Sequence, residues 1–271
     1  MADIRWKSAI TRVEPNKILL RGYRIDELMG RISYAQAAYL ALRGELPGDA
    51  EGKMIDAILV SDVDHGVTPQ STLAALNAAS TGSPLNACIA AAVLAMSRYH
   101  GGAIEDSMQF LKDAVARAMA RVKKKGKQEP GVILRSANEI VAEYRAEGKR
   151  VSGYGHLIHD RDPRTTRLYA LADDLGLPGS HREMAKAVER ALEENSGRKL
   201  PTNINGATAA VLLDMGFEPE LANVFFMIAR LPGLVAHIRE EVERQKPLRP
   251  INPLDCEYDG PPARDLPKSR E

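Results

Sequence analysis

Six histidines occur in the 271 residues, and five of them stand in or beside polar breaks between stretches with a helical repeat. His65 lies in DVDHGVTP, His100 in RYHGGAIE, His156 and His159 in VSGYGHLIHDRDPR, and His237 follows ARLPGLVA. A further break, LPTNINGAT, carries Asn205. Imidazole titrates nearest neutrality of all side chains, so it can move a proton or polarise a carbonyl. The breaks adjoin helix starts, whose unpaired N–H groups and positive end suit an anion. Simpler readings stand beside this one: His100 capping the helix that it ends, a structural His156, and His181 as helix-start surface. His156-x-x-His159-Asp160 also has the look of a zinc loop, yet it has no third ligand at fixed spacing and its arginines would repel a cation. No metal is expected.

The elements that must position these residues are helical almost throughout. SAITRVEPNKILLRGY alternates weakly and turns at Pro15-Asn16, which predicts a short hairpin. Ser33 is placed to cap a helix stopped by Gly44, and Asp162-Pro163 to open another. Thr68-Pro69 and Ser83-Pro84 read as cap followed by a proline at the first helical position. Amphipathic stretches then run to Arg244, and the expected fold class is all-α. Small residues crowd the middle helices, so backbones can approach closely. Lys123, Lys124 and Lys125 read as a solvated helix end. The proline-rich tail reads as extended, or laid over a neighbouring subunit.

Charged residues make up 27% and leave a formal net charge of +1, so no long-range field favours nucleic acid or a membrane surface. Cys88 and Cys256 are far apart and read as reduced thiols, Cys88 in the core. The opening MADIRWKSAITRVEP has no apolar signal core, and the longest apolar run, ACIAAAVLAM, is too short for a bilayer. A cytoplasmic location is expected.

DHGVTPQS, HGGAIE, GYGHLIHDRDPR, NINGATAAVL and ARLPGLVAH…LRP follow one another in an order that resembles the citrate synthase superfamily. The likeness is greatest to short citryl-CoA lyases and to the citryl-CoA lyase module of ATP-citrate lyase, and it runs from about Trp6 to Arg249. It implies an all-α homodimer or higher oligomer. A large domain (1–100 and 213–271, with the tail) and a smaller inserted domain (101–212) would close over coenzyme A. It also implies roles. His100 would hydrogen-bond the thioester oxygen and stabilise the acetyl-CoA enolate, and His156 would move the proton of the tertiary hydroxyl. His65, Arg164, Arg230 and Arg249 would bind substrate carboxylates, Arg249 from the partner subunit, with a solvated Arg249 as the plainer reading. Gly153 and Gly155 would let the loop wrap the nucleotide, and Arg198 and Lys199 would touch its phosphates.

One position departs from the pattern. Family members carry an aspartate as acid or base where this chain has Asn205, and an amide cannot exchange a proton at neutral pH. General acid–base help is worth about a hundred- to ten-thousand-fold. Three readings follow: a slowed or altered lyase of citryl-CoA or a related 3-hydroxyacyl-CoA; a non-catalytic binder of coenzyme A thioesters or polycarboxylates; or an engineered asparagine. The dipeptide Asn205-Gly206 suggests deamidation back to an acid. By resemblance, the missing N-terminal helical region of full-length citrate synthases favours the lyases, with condensation as the alternative.

Overall fold

The computed structural model describes residues 6–125, 131–156, 159–249, 252–255 and 257–265. Cys256 lies outside them, as do the side chains of Lys123, Lys124 and Lys125. The expected hairpin is formed by β1 (Thr11–Glu14) and β2 (Lys17–Leu20), antiparallel about a turn at Pro15-Asn16. A two-residue strand, β3 (Tyr23–Arg24), adds to β2, which the sequence did not signal.

Helices follow: α1 (Ile25–Leu28), α2 (Tyr34–Arg43), α3 (Asp49–Ser61), α4 (Gln70–Ser80) and α5 (Leu85–Leu94). After them come α6 (Ala103–Lys125), α7 (Val132–Ala146), α8 (Pro163–Asp174), α9 (Ser180–Ser196), α10 (Ile204–Asp214) and α11 (Ala222–Arg244). Ser33 caps α2 in a reciprocal box with Gln36, and Gly44 ends it in the left-handed conformation. Asp162 caps α8 with Pro163 at the first position, as read. The prolines before α4 and α5 behave differently. Pro69 and Pro84 are themselves the N-caps with extended ψ, so each helix begins one residue later and has no side-chain cap.

Two sets of helices pack among themselves. In one, α11 lies against α3, α4 and α5; in the other, α6, α8 and α9 surround α10, with α7 packed on α6 and α9. Every residue of α10 except Asn205 is buried, among them Ala207, Ala209 and Ala210, whose small side chains let the surrounding helices close in. The sets meet where α3 touches α8 and α6 touches α11, with Asn223 donating to Glu105 across the second contact at 2.8 Å. A T-shaped run of Tyr39, Phe217 and Phe225 fills the core on the α2 side.

The segment Pro219–Arg244 is long and apolar enough to cross a membrane by length and composition, which the reading of uninterrupted runs had missed. In the fold it packs against α3, α4, α5 and α6 and buries two charged residues, Arg230 and Glu241, along its length. Pro232 removes one hydrogen bond inside α11, yet the helix continues to Arg244. The described part of the tail forms only a 3-10 turn at Pro253–Asp255, with Leu254 and Tyr258 exposed.

Candidate active site

His100 does not end a helix, because α5 stops at Leu94. It sits instead in a tight turn where Ser97 and His100 exchange backbone hydrogen bonds at 2.9 and 2.8 Å. Its Nε2 lies 2.8 Å from the hydroxyl of Ser71, a buried residue in the first turn of α4 that sequence reasoning overlooked. Nδ1 has no hydrogen bond to a described residue, which leaves that edge for a ligand. The ring meets Phe226 edge-on at 5.4 Å, and Phe226 in turn carries the Arg230 guanidinium 4.9 Å above its face. Burial, and then the Arg230 charge, lower the His100 pKa, so the ring is neutral at pH 7.

Arg230, on α11, is 3% exposed, and its Nε and Nη1 have no hydrogen-bond partner among the described residues. Its Nη2 lies 3.9 Å from Asp62, the residue just past α3. Arg164, in the first turn of α8, lies 3.7 Å from the same Asp62 oxygen. It is not a free clamp, however: its Nε and Nη2 donate to Asp162 at 3.1 and 2.8 Å. Asp162 also caps α8 by accepting the Arg164 N–H. From sequence Asp162 was read only as a helix cap, and Asp62 not at all. A capping signal was readable at Asp162; at Asp62 there was none.

His65 extends from the loop after α3, and its ring lies 6.1 Å from that of His156. Burial, then the charges of Arg164 and Arg230, lower its pKa; burial, then His159, lower that of His156. The His65 loop is pinned from α11, where His237 pairs with Asp64 at 2.9 Å. Gly233 makes that approach possible, since a Cβ there would stand 2.4 Å from the Val63 carbonyl oxygen. His156 and His159 stack at 4.5 Å, and the His159 backbone N–H donates to His156 Nδ1 at 3.2 Å, so the neutral His156 ring carries its proton on Nε2. Among the described residues no group of three or more His, Cys, Asp or Glu side chains is arranged to hold a metal.

Asn205 is not in a loop but in the first turn of α10, capped by Asn203, whose Oδ1 accepts from the N–H groups of Asn205 and Gly206 at 3.0 and 3.2 Å. Its own amide makes no hydrogen bond to a described residue. The cap bears on the expected deamidation, which needs the Gly206 nitrogen to attack the Asn205 side chain. Here that nitrogen is a hydrogen-bond donor inside a helical turn, which opposes the reaction.

The two loop glycines serve the protein's own packing. Gly153 has φ +89°, and a Cβ on it would meet Gly206 Cα at 2.7 Å. The Gly155 N–H donates to the Pro201 carbonyl, and its carbonyl accepts from the Asn203 amide. So the loop carrying His156 is laid directly on the start of α10, and Gly153 faces the helix rather than open space.

Other assigned residues lie elsewhere. Lys199 lines a cavity of ≈ 600 Å³ between α8, α9 and the 199–202 loop, together with Lys186 and Arg161, while Arg198 is exposed beside it. Arg249 pairs with buried Glu241, eleven residues beyond Arg230 on α11, or about 16 Å at the helical rise. It is therefore remote from its own chain's Arg230. His181 is not plain surface: its Nδ1 and N–H both lie 2.9 Å from buried Asp214 at the end of α10, which anchors the start of α9.

The helical fold and sequence of this chain are matched by known proteins. The family model "Citrate synthase, C-terminal domain" matches residues 49–251, and the chain belongs to the citrate synthase family of enzymes. A citryl-CoA lyase structure from Hydrogenobacter thermophilus superposes with TM-score 0.85 at 42% identity, covering 97% of both chains. Citrate synthase from Thermoplasma acidophilum, in a ternary complex with carboxymethyl coenzyme A and oxaloacetate, gives TM-score 0.67 at 25% identity over 86% of this chain and 58% of that one. A citrate synthase of Haloferax volcanii is 29% identical over 81% of this chain and 54% of its own length. The chain spans about half the length of the curated relatives it matches.

Proposed function

We propose that the protein cleaves citryl-CoA, or a closely related 3-hydroxyacyl-CoA, to acetyl-CoA and oxaloacetate. The observation that carries this reading is the buried Arg230, two of whose guanidinium nitrogens are unpartnered among the described residues, with Arg164 and the lowered-pKa imidazoles of His65 and His100 near it and His156 6.1 Å from His65. A buried cation with donors to spare demands an anion. The 42% identity over nearly the whole of a citryl-CoA lyase supports the lyase over the synthase.

In this mechanism Arg230 and Arg164 hold the carboxylates and His65 adds a neutral donor. His156 sits at the oxygen that is hydroxyl in citryl-CoA and ketone in oxaloacetate. As the C–C bond breaks, the hydroxyl proton passes to His156 Nδ1, the ring's one lone pair, once the His159 N–H turns away from it, and the electron pair of that bond passes to the acetyl unit as its enolate. His100, held by Ser71, hydrogen-bonds the thioester oxygen that gains this charge; one such donor is worth about 3 kcal/mol in a dry site. The enolate carbon then needs a proton. Asn205, the one α10 residue not buried, stands where the family supplies an acid, so it orients the thioester while water delivers the proton.

Further proposals complete the picture. Helices α6–α10 form the small domain, bounded near Gly101 and Leu212, which closes over coenzyme A, and Arg198 and Lys199 meet its phosphates. The oligomer is a homodimer or larger. Apart from Cys88 and Ala92 the apolar helix α5 is not buried in the single chain, with Leu85 and Leu94 exposed beside Leu73 of α4, a surface suited to a second copy. Arg249 then serves the partner's site. The free, buried thiol of Cys88 suits the cytoplasm.

Condensation is the second reading, favoured by the relatives named citrate synthase. The two are separated by substrate. Given citryl-CoA, a lyase releases keto acid, read through malate dehydrogenase, without net free thiol. Given acetyl-CoA and oxaloacetate, a synthase releases coenzyme A thiol. Thiol release without keto-acid release overturns the lyase assignment.

A further inference from the structure

The carboxylate clamp contains two carboxylates of its own, and they are held very differently. Asp162 is locked: it accepts from Arg164 Nε, Nη2 and backbone N–H, all within 3.1 Å. Asp62 is 2% exposed, yet its carboxylate makes no hydrogen bond to a described residue. Its Oδ1 lies 3.7 Å from Arg164 Nη1 and 3.9 Å from Arg230 Nη2, and its Oδ2 has no partner among the described residues. The Nε and Nη1 of Arg230 are equally unpartnered. A buried carboxylate and the buried Arg230 guanidinium thus share one space without satisfying one another, beside an Arg164 that is half-buried and bound to Asp162 and the Ser61 carbonyl, an arrangement suited to receiving a third group.

We infer that Asp62 is the charge-setting residue of this clamp: it takes up a proton from solvent when a dicarboxylic keto acid docks on Arg164 and Arg230, so that binding consumes a proton. The inference rests on the proposed substrate class and names a residue that the reaction itself does not require. Without the ligand, Asp62 and Asp162 offset the two arginines. An incoming carboxylate would add a further negative charge to a dry space, and Asp62 is the member with no hydrogen bonds to lose on becoming neutral. Burial already raises its pKa, against the pull of Arg164 and Arg230 and with the push of Asp162. Asp162 is held low by Arg164 despite its burial, so it stays ionised. Once neutral, Asp62 can donate its proton to the ligand carboxylate. Such a site recognises its anion and still lets it go at higher pH, as a lyase that must release oxaloacetate requires.

The groups facing Asp62 are Arg164 and Asp162 from α8 and its cap, and Arg230 from α11. His65, which feels the same arginines, is the other group able to gain a proton on binding, so the test must separate the two. The full chain is titrated calorimetrically with oxaloacetate between pH 6 and 8.5 in two buffers of different ionisation enthalpy, which counts protons taken up. Wild type is expected to take up close to one proton more than Asp62→Asn somewhere in this range. There its affinity weakens up to about tenfold per pH unit, while Asp62→Asn shows a correspondingly flatter profile. His65→Gln retains the Asp62-dependent uptake. Asp62→Ser is the second variant should the amide disturb folding. Equal proton uptake in wild type and both Asp62 variants overturns the inference while leaving the proposed function standing. Failure of oxaloacetate to bind any form overturns the substrate reading, and this inference with it.

Discussion

The side-chain amide of Asn203 donates from Nδ2 to the carbonyl of Gly155 at 2.8 Å, tying the loop that carries His156 to the helix turn that carries Asn205. The same side chain accepts two backbone N–H groups with its oxygen. Asn203→Ala removes a cap and a tertiary hydrogen bond, each worth about 1 kcal/mol. Urea unfolding should therefore show a loss of roughly 2 kcal/mol, again as the sum of those two contributions. Asn203→Asp keeps the cap but loses the donor, so it should recover about half the stability while turnover stays depressed. Full recovery of turnover by the aspartate would show that the tie to Gly155 does not position His156.

Gly206 and Gly153 pack backbone to backbone, and a Cβ on Gly206 would meet the Gly153 carbonyl oxygen at 2.4 Å. Neither partner is a flexible side chain that could move aside. Gly206→Ala should cost about 1–3 kcal/mol or more, the range for overpacking. A urea midpoint equal to wild type would refute the close approach.

The lowered pKa values of His65, His100 and His156 set a pH dependence. Their folded-state values lie below the ordinary histidine value, so the unfolded chain binds more protons in acid, and stability rises with pH. The contribution is fully present above about pH 6.5, the ordinary histidine value, and is lost as pH falls through the folded-state values. Thermal unfolding between pH 7.5 and 5 should show a falling Tm, less steep in His100→Gln. A slope unchanged in that variant would remove His100 from the account.

Much of this architecture was legible in the chain, because its signals were local. The Ser33 box, the Gly44 stop, the Asp162-Pro163 start and the hairpin turn each depend on a few adjacent residues. The helix starts after Pro69 and Pro84 were misplaced by one residue, since a proline fixes φ but leaves ψ free to stay extended. His100 and His156 were readable as residue types in marked loops, and the resemblance supplied their pairing. Ser71, Asp62 and the bond between His181 and Asp214 were not readable. Each joins residues at least 29 positions apart, and nothing in the neighbouring sequence distinguishes such a serine or aspartate from an ordinary helix-end residue. Gly153 was read as making room for a nucleotide, whereas it makes room for Gly206.

Arg249 supplies a test of the oligomer. If it completes the partner's site, Arg249→Ala and His100→Ala chains are each nearly inactive alone. Refolded together they regain activity, because the mixed dimer contains one site with both residues intact. The expected recovery is up to about a quarter of the wild-type rate for random pairing of a twofold dimer. No recovery, with dimers verified by sedimentation, would place Arg249 outside the site.

Arg230 is expected to be the most damaging arginine to lose. Arg230→Gln removes charge-assisted hydrogen bonds worth about 1.5–3 kcal/mol each, so kcat/KM should fall at least tenfold to a hundredfold. The same variant leaves Asp62 buried with one cation fewer, so stability should drop as well. A fall in stability with kcat/KM intact would confine Arg230 to a structural role.

The central claim is that His100 and His156 act on one citryl thioester beside an asparagine that holds no transferable proton. Its most direct test is the steady-state release of oxaloacetate from citryl-CoA by the wild-type chain and by Asn205→Asp. The account predicts measurable release by wild type and a rise of about a hundredfold or more in kcat when the acid is restored. Absence of keto-acid release from both forms would contradict it and leave a protein that binds such thioesters without cleaving them.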